Sequence, residues 1–347
     1  MLLGGCYMIS LLQFGTNSRL EQLLSELNLQ PVSSKENLRG RRLLFAVAVD
    51  AGGPDPSFYA FLRRLRQEPN LLEGCTGALV VDGSTELYTK AAAQELVTAA
   101  SFAGCLFPGK PLVEATGTLY NQHIRARNLG LGWLETYFLR VKELVAHLEI
   151  FEAPRFRRPK ILMLHASDKQ RSNTLQLGRA LCRRLTDCCD IREVQLLNGT
   201  VHDCRGCGYH ACLHFSQNNT CFYGGAISDE VLPAIREADV LLFLCPNYND
   251  ALSANLMALI NRMTNLVVQS DLGRTYLGAV VVSGYSGGDL VARQLMSAMC
   301  LNRGCILPPD FCLLQTANDP GDAMASEGIY DRLDAMAEKI RRQIIFP

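Results

Sequence analysis

Three short stretches in the second half of the chain combine residue types able to hold an anion and a flat ring. The first is Ser167-Asp168-Lys169-Gln170-Arg171-Ser172-Asn173-Thr174, where hydroxyls and an arginine lead into a helix. Free backbone N–H groups at a helix N-terminus, joined by hydroxyls and a guanidinium, make an anion site. The same Ser172, Asn173 and Thr174 also suit a plain N-cap, so this stretch does not decide by itself. It has neither the glycines and Gly-Lys-Ser/Thr ending of a Walker loop nor a G-x-G-x-x-G pattern, which argues against ATP and a Rossmann-type dinucleotide. The second stretch is Cys245-Pro246-Asn247-Tyr248-Asn249-Asp250. Pro246 stiffens the exit from a strand, Tyr248 offers an aromatic face, and Asn247 and Asn249 can donate and accept at a polar ring edge. The third, Ser283-Gly284-Tyr285-Ser286-Gly287-Gly288-Asp289, has three glycines in five positions, which lets the backbone approach a flat ligand.

Each stretch follows a short apolar run. Ile161–Leu164, Val194–Leu197, Val240–Leu244, Ala279–Val282 and Cys312–Leu314 read as strands, with helical spacing between them, as in Leu177, Leu181 and Leu185. Near-continuous apolar strands alternating with helices predict an α/β fold with a parallel sheet covered on both faces. Five strands suit the doubly wound order 2-1-3-4-5, in which ligands bind beyond the carboxyl ends of the strands.

The N-terminal half echoes this pattern. Leu43-Leu44-Phe45 with Ala60-Phe61-Leu62-Arg63-Arg64 matches Leu241-Leu242-Phe243 with Ala258-Leu259-Ile260-Asn261-Arg262. The run Gly77–Gly83 matches Gly278–Gly284, and Gly104–Pro108 matches Gly304–Pro308. Each half closes on an amphipathic helix, with Trp133, Tyr137, Val141, Leu144 and Leu148 on one face and Ile329, Leu333, Met336 and Ile340 on the other. Four matches in the same order indicate an internal duplication. The first copy lacks anything like residues 186–238, so it is a degenerate, shortened version of the second. The expected division is 1–153, a linker at 154–159 carrying the basic run Arg155–Lys160, and 160–347.

The totals exclude several classes. Hydrophobic residues make up 48% of 347 and charged residues 20%, a globular composition. Lys plus Arg (34) balance Asp plus Glu (34), so no nucleic-acid or anionic-membrane partner is indicated. Met1 to Leu12 is apolar but has no preceding basic residue and is too short to span a bilayer. With no export signal, the fourteen cysteines read as reduced thiols or metal ligands, and the expected location is cytoplasmic. Cys182, Cys245, Cys300 and Cys312 suit a core. Cys204, Cys207, Cys212 and Cys221 fall within eighteen residues, with His202, His210 and His214 interspersed, a density suited to a thiolate metal site. Free thiols, a [4Fe–4S] cluster and zinc are all open readings.

Residues 160–265 resemble the NADPH-dependent FMN reductase and multimeric-flavodoxin group of flavoproteins. The matching positions are the Ser/Arg/Ser-Asn-Thr loop (Ser167, Arg171, Ser172, Asn173, Thr174), the Pro-x-Tyr segment (Pro246, Tyr248), the helix ending Asn261-Arg262 where Asp-Arg is usual, and the glycines Gly284, Gly287 and Gly288. His165-Ala166-Ser167-Asp168 stands where the group usually has Gly-Ser-Pro-Arg. The resemblance implies a flavodoxin-like fold. It implies FMN held by Ser167, Arg171, Ser172, Asn173 and Thr174 at its phosphate, with Pro246, Asn247, Tyr248, Asn249, Ser283, Gly284, Tyr285, Gly287 and Gly288 around its ring. It further implies NAD(P)H as electron donor and a small acceptor such as a quinone, flavin or nitro compound. The flavin ring itself carries hydride, so no catalytic side chain is assigned. The alternatives are an electron-transfer flavoprotein serving a protein partner, since related iron–sulfur flavoproteins carry a cysteine cluster in this region, and a flavin- or redox-sensing protein without turnover.

Members of the group commonly dimerise, which implies that the N-terminal copy acts as a built-in, flavin-silent dimer partner and that intact chains can form homo-oligomers. Its loops are altered accordingly. Gly15-Thr16-Asn17-Ser18 has no arginine before its Asn, Ala48, Val49 and Asp50 replace Pro246, Asn247 and Tyr248, and Asp82-Gly83-Ser84-Thr85 keeps one glycine.

Overall fold

The apolar runs become the central strands of two parallel sheets, one in each half of the chain. The computed structural model describes residues 8–167, 171–217, 221–264, 266 and 271–346. Within it the chain divides into two units, Met1–Glu152 and Ala153–Pro347.

In the first unit the strands are β1 (Ser10–Phe14), β2 (Gln30–Pro31), β3 (Arg42–Asp50), β4 (Gly53–Pro54), β5 (Thr76–Gly83) and β6 (Leu112–Ala115), in the order β2-β1-β3-β5-β6. All these pairings are parallel; only β4 folds back antiparallel on the end of β3. In the second unit β7 (Lys160–His165), β8 (Asp190–Gln195), β9 (Val240–Pro246), β10 (Tyr276–Ser283) and β11 (Cys312–Thr316) lie in the order β8-β7-β9-β10-β11, all parallel. Counted along the chain this is 2-1-3-4-5, the flavodoxin-like order expected. The first unit has the same order once the short β4 is set aside.

β3, β5, β9 and β10 are buried on both faces, as a central parallel strand with helices above and below must be. The helix Asn173–Arg183 buries Leu175, Leu177, Ala180 and Leu181 against the sheet. It sits so close that a Cβ on Gly178 would stand 2.6 Å from Leu244. Cys182, Cys245, Cys300 and Cys312 are buried, as their apolar settings suggest. Among the described residues no helix is long and apolar enough to cross a membrane.

Hydrogen-bond register makes the internal repeat sharper than sequence does. Leu79 pairs with Leu112 and Ala279 with Cys312, while the isolated bridges Thr76–Leu106 and Tyr276–Ile306 repeat the same relation. Leu43 pairs with Gly77 and Leu241 with Leu277, so Gly77 occupies the place of Leu277 and not that of Gly278. The sequence match was therefore one residue out along this strand. Glycine is required at Gly77 because a Cβ would stand 2.6 Å from the Phe107 ring.

Two other expectations are corrected. The second strand of the complete copy lies at Asp190–Gln195 and not Val194–Leu197. As an edge strand it pairs only with β7 and is largely exposed, so it has no apolar run to announce it. The first unit keeps a remnant of that strand in β2, so the loss is chiefly the helical crossover. Residues 32–41 carry the chain back to β3 with no helix, where the second unit has Tyr209–Ser216 and Leu232–Glu237.

Candidate functional site

The loops after β7, β9 and β10 lie side by side at the carboxyl ends of neighbouring strands. β7 and β9 are the pair at which strand order reverses, the position where open α/β sheets leave a crevice.

In the loop after β7, Asp168, Lys169 and Gln170 lie outside the described residues. Ser172 is the N-cap of the helix Asn173–Arg183, accepting from the Leu175 N–H at 3.4 Å. Its hydroxyl is also 3.0 Å from Ser167 Oγ and 2.9 Å from Thr174 Oγ1. Three hydroxyls thus cluster where the helix presents unpaired N–H groups and the positive end of its dipole. Arg171 is exposed beside them. Asn173 faces elsewhere: its amide donates to the Asp319 carbonyl at 2.9 Å and accepts from the Gly321 N–H at 2.9 Å, tying this helix start to the loop after β11.

The loop after β9 is a tight hairpin. Tyr248 and Ala251 bridge each other, and the two residues between them, Asn249 and Asp250, have φ of 54° and 59°. Two successive left-handed residues make a type I′ turn, which Asn and Asp tolerate better than most side chains. The hairpin lifts Tyr248 clear of the sheet, 63% exposed. Pro246 and Asn247 are half-buried beneath it. The next helix, Ala254–Arg262, starts at Ser253, whose Oγ is buried and has no hydrogen-bond partner among the described residues.

Asn247 welds this hairpin to the loop after β10. Its Nδ2 donates to Ser283 Oγ at 2.6 Å, the Ser286 carbonyl at 3.1 Å and Asp250 Oδ1 at 3.2 Å, while its Oδ1 accepts the Asp250 N–H at 2.8 Å. The glycines of the third loop serve this contact. Gly287 has φ of 82°, and a Cβ there would stand 2.0 Å from Asp250 Oδ1. A Cβ on Gly284 would stand 3.0 Å from Asn318 Oδ1, whereas Gly288 meets only ordinary contacts. Tyr285 is 83% exposed. The site therefore offers an anion-suited hydroxyl cluster, two uncovered aromatic rings and an unpartnered hydroxyl. That set of donors and faces fits a phosphorylated aromatic ligand.

Other contributors had little sequence signal. Gln195, at the end of the exposed edge strand, donates from Nε2 to the Ser167 carbonyl at 2.6 Å. Asp250 and Ser286 complete the tie between two loops. The loop after β11 belongs to the same face, and its turn-forming Asn318-Asp319-Pro320-Gly321 was the only hint.

The cysteine segment is anchored on the last residues of the helix Ala254–Arg262. Asn261 Nδ2 holds Asp203 at 2.9 Å, and the buried Arg262 donates to the Gly224 carbonyl at 2.7 Å and Ser228 Oγ at 2.8 Å. These anchors lie at the far end of the helix that starts at the ligand hairpin, about 12 Å along it at 1.5 Å per residue. Cys204 and Cys207 are exposed, and Cys212 and Cys221 half-buried. Burial pushes the Cys212 thiol up, helped by the charges of Cys207, Cys204 and Cys221. Among the described residues no group of three or more His, Cys, Asp or Glu side chains is placed to hold a metal ion.

The family model described as NADPH-dependent FMN reductase matches residues 159–319, a span holding all three loops. No curated protein matches the chain. Solved structures with a similar fold include an azoreductase from Bacillus anthracis str. Sterne, 14% identical over 53% of this chain and 99% of that one, with a TM-score of 0.41. The NAD(P)H:quinone oxidoreductase from Methanothermobacter marburgensis is 14% identical over 53% of this chain and 95% of its own, at 0.39. Rubredoxin oxygen:oxidoreductase from Desulfovibrio gigas is 16% identical, covering 73% of this chain and 48% of its own, at 0.36. Likeness of that size carries no argument about activity. What the chain is similar to is therefore carried by the family match, in which residues 159–319, spanning the built site, match the NADPH-dependent FMN reductase model.

Proposed function

We propose that the second unit binds one FMN across the loops after β7, β9 and β10 and works as an NAD(P)H-dependent oxidoreductase for a small acceptor such as a quinone, flavin or nitro compound. The observation that carries this reading is the Ser167–Ser172–Thr174 hydroxyl cluster at a helix N-terminus, set beside a hairpin that displays Tyr248 at the sheet's switch point. Bound FMN would supply the ring that takes up hydride and passes electrons on.

The chain's own residues bind, orient and exclude. The three hydroxyls, the helix N-terminus and Arg171 hold the phosphate. Asn247, by fastening two loops together, keeps the ring site in one shape, a positioning role and not a ligand contact. Tyr248 and Tyr285 give aromatic faces that cover the ring, and Gly287 lets the loop after β10 close against Asp250 and so holds the ring site's wall. The first unit is a flavin-silent copy; the support for this is its Arg19–Asp82 ion pair, standing at the strand ends.

Flavin extraction from the purified intact chain, followed by chromatography, is expected to give about one FMN per polypeptide. Steady-state NADH or NADPH oxidation with a quinone, flavin and nitro-compound panel is expected to show turnover. A chain that binds no FMN sinks the proposal. Binding without turnover on any acceptor would favour the carrier or sensor readings.

A further inference from the structure

We infer that His165 is a positioning residue for the phosphate loop: its imidazole Nδ1 takes the Ser167 backbone N–H and so aims the Ser167 hydroxyl into the cluster that receives the phosphate. The inference rests on the FMN reading above and adds a residue to it.

His165 ends β7 and is 1% exposed. The Ser167 N–H donates to its Nδ1 at 3.3 Å, so the ring proton must sit on Nε2, and Nε2 lies 3.2 Å from Glu193 Oε1. Glu193, on β8, is itself held by Arg179 of the helix Asn173–Arg183, Nη2 to Oε1 at 2.6 Å and Nε to Oε2 at 3.0 Å. A relay of Arg179, Glu193 and His165 therefore sets one tautomer. The only charged groups facing the ring among the described residues are Glu193 and Arg179. Burial lowers the imidazole's pKa below its ordinary 6.5, against the opposing pull of Glu193, which keeps the ring neutral and Nδ1 free to accept.

Ser167 is gripped at both backbone polar atoms, its N–H by His165 and its carbonyl by Gln195 Nε2. With the backbone fixed, its Oγ rests 3.0 Å from Ser172 Oγ. An anion loop ordinarily offers backbone N–H groups to its ligand. Here one of those groups is withdrawn by a side chain from below, and a hydroxyl is presented in its place. The same arrangement gives a job to a histidine that stands where the family usually has glycine.

The test compares dissociation constants of FMN and riboflavin for the intact wild type, His165→Leu and His165→Asn, read by flavin fluorescence. Losing one hydrogen bond that shapes a charged-ligand site should weaken FMN about fivefold to tenfold in His165→Leu. Riboflavin, lacking the phosphate, should stay within about twofold, since no phosphate contact is lost. His165→Asn, whose Oδ1 can stand in for Nδ1, should recover FMN affinity. Unchanged FMN affinity in His165→Leu overturns the inference, as does an equal loss for both flavins or a folded Asn variant that restores nothing. If His165→Leu does not fold, the nitrogen-15 signals of the wild-type ring decide. A proton on Nε2 with an accepting Nδ1 supports the inference, and a proton on Nδ1 overturns it. A wild type that binds FMN no better than riboflavin would instead defeat the phosphate-loop reading beneath it.

Discussion

The two units share one strand order and differ at the carboxyl ends of their strands, where the first carries an internal ion pair. Ladder register and helix caps align the parts. Asn17 caps the first helix of the first unit as Ser172 does in the second, so Arg19 stands at the place of Thr174. Ala48 pairs with Asp82 and Pro246 with Val282, so Asp82 stands at the place of Val282. A hydroxyl and an apolar residue in one unit have become an arginine and an aspartate in the other. Arg19 Nη2 lies 2.8 Å and Nε 3.0 Å from the carboxylate of Asp82, and Nη2 also donates to the Gly83 and Thr116 carbonyls. Asn17 Nδ2 adds a bond to Asp82 at 3.0 Å. Burial, and then the Asp82 carboxylate, push the Tyr137 phenol well above its ordinary pKa. The guanidinium thus reaches the strand ends from the place where the second unit has the Thr174 hydroxyl, bonded to Ser172.

A hairpin follows β3 and β9 alike, but its turn differs: Asn249 and Asp250 have positive φ in the second unit, Gly53 in the first. Asp50 pairs with Gly53 in the first unit and Tyr248 bridges Ala251 in the second. Asp50 spends its carboxylate on the Gly52 N–H at 2.7 Å, whereas Tyr248 projects into solvent. The difference teaches that equivalent strand-end positions can be given to internal contacts: in the first unit an ion pair and a local cap take them.

The largest expected effect tests that substitution. Asp82→Ala leaves Arg19, only 20% exposed, facing carbonyls without its counter-charge. Stability of the first unit should fall by about 3 kcal/mol. Trp133, the chain's single tryptophan, lies in that unit, so its fluorescence during urea unfolding reads the loss. Installing the second unit's pair, Arg19→Thr with Asp82→Val, should recover most of it, because apolar replacement of a buried ion pair is often neutral. A double variant as unstable as the single one would break the alignment of the two crevices.

A smaller effect separates the ligand loops. Ser172→Ala with Thr174→Ala should weaken FMN by about 2 kcal/mol, roughly one for each lost hydroxyl. Asn17→Ala, at the cap position of the first unit that corresponds to Ser172, should leave the fluorescence titration unmoved. Equal responses from both units would mean that both bind flavin.

The smallest effect is one of pH. The unfolded chain takes up a proton on His165 near pH 6.5, while the folded ring, its pKa lowered by burial, resists it. The unfolded state therefore binds more protons below pH 6.5, and stability of the second unit falls as pH falls. Gln13, paired at the equivalent ladder position of the first unit, does not titrate. Urea midpoints of the second unit, followed by bound-flavin fluorescence between pH 7 and 5, should drop more for wild type than for His165→Asn. Parallel curves would remove the histidine from the comparison.

Much of this architecture was legible in the chain itself. Val240–Leu244 and Ala279–Val282 announce central strands because a strand buried on both faces has no polar alternation to dilute it. The edge strand Asp190–Gln195 was misplaced for the converse reason, since its side chains meet water and carry no apolar signature. The three ligand loops could be found because strand ends in a parallel sheet locate the crevice before any contact is known.

Partnership was decided only in three dimensions. Arg19 and Asp82 are 63 residues apart, His165 and Glu193 28, and Asn247 and Ser283 36. Neither member of any pair shows by its neighbours in sequence which side chain it will meet. Sequence set the periodicity, the duplication and the places of the loops, because those depend on local apolar pattern and turn chemistry. Tertiary structure decided the one-residue register that puts Gly77 opposite Leu43, the Arg19–Asp82 ion pair and the anchoring of the cysteine segment on Asn261 and Arg262. Those depend on which surfaces the sheet brings within hydrogen-bonding distance, and a bond of about 3 Å is a condition on space and not on chain order.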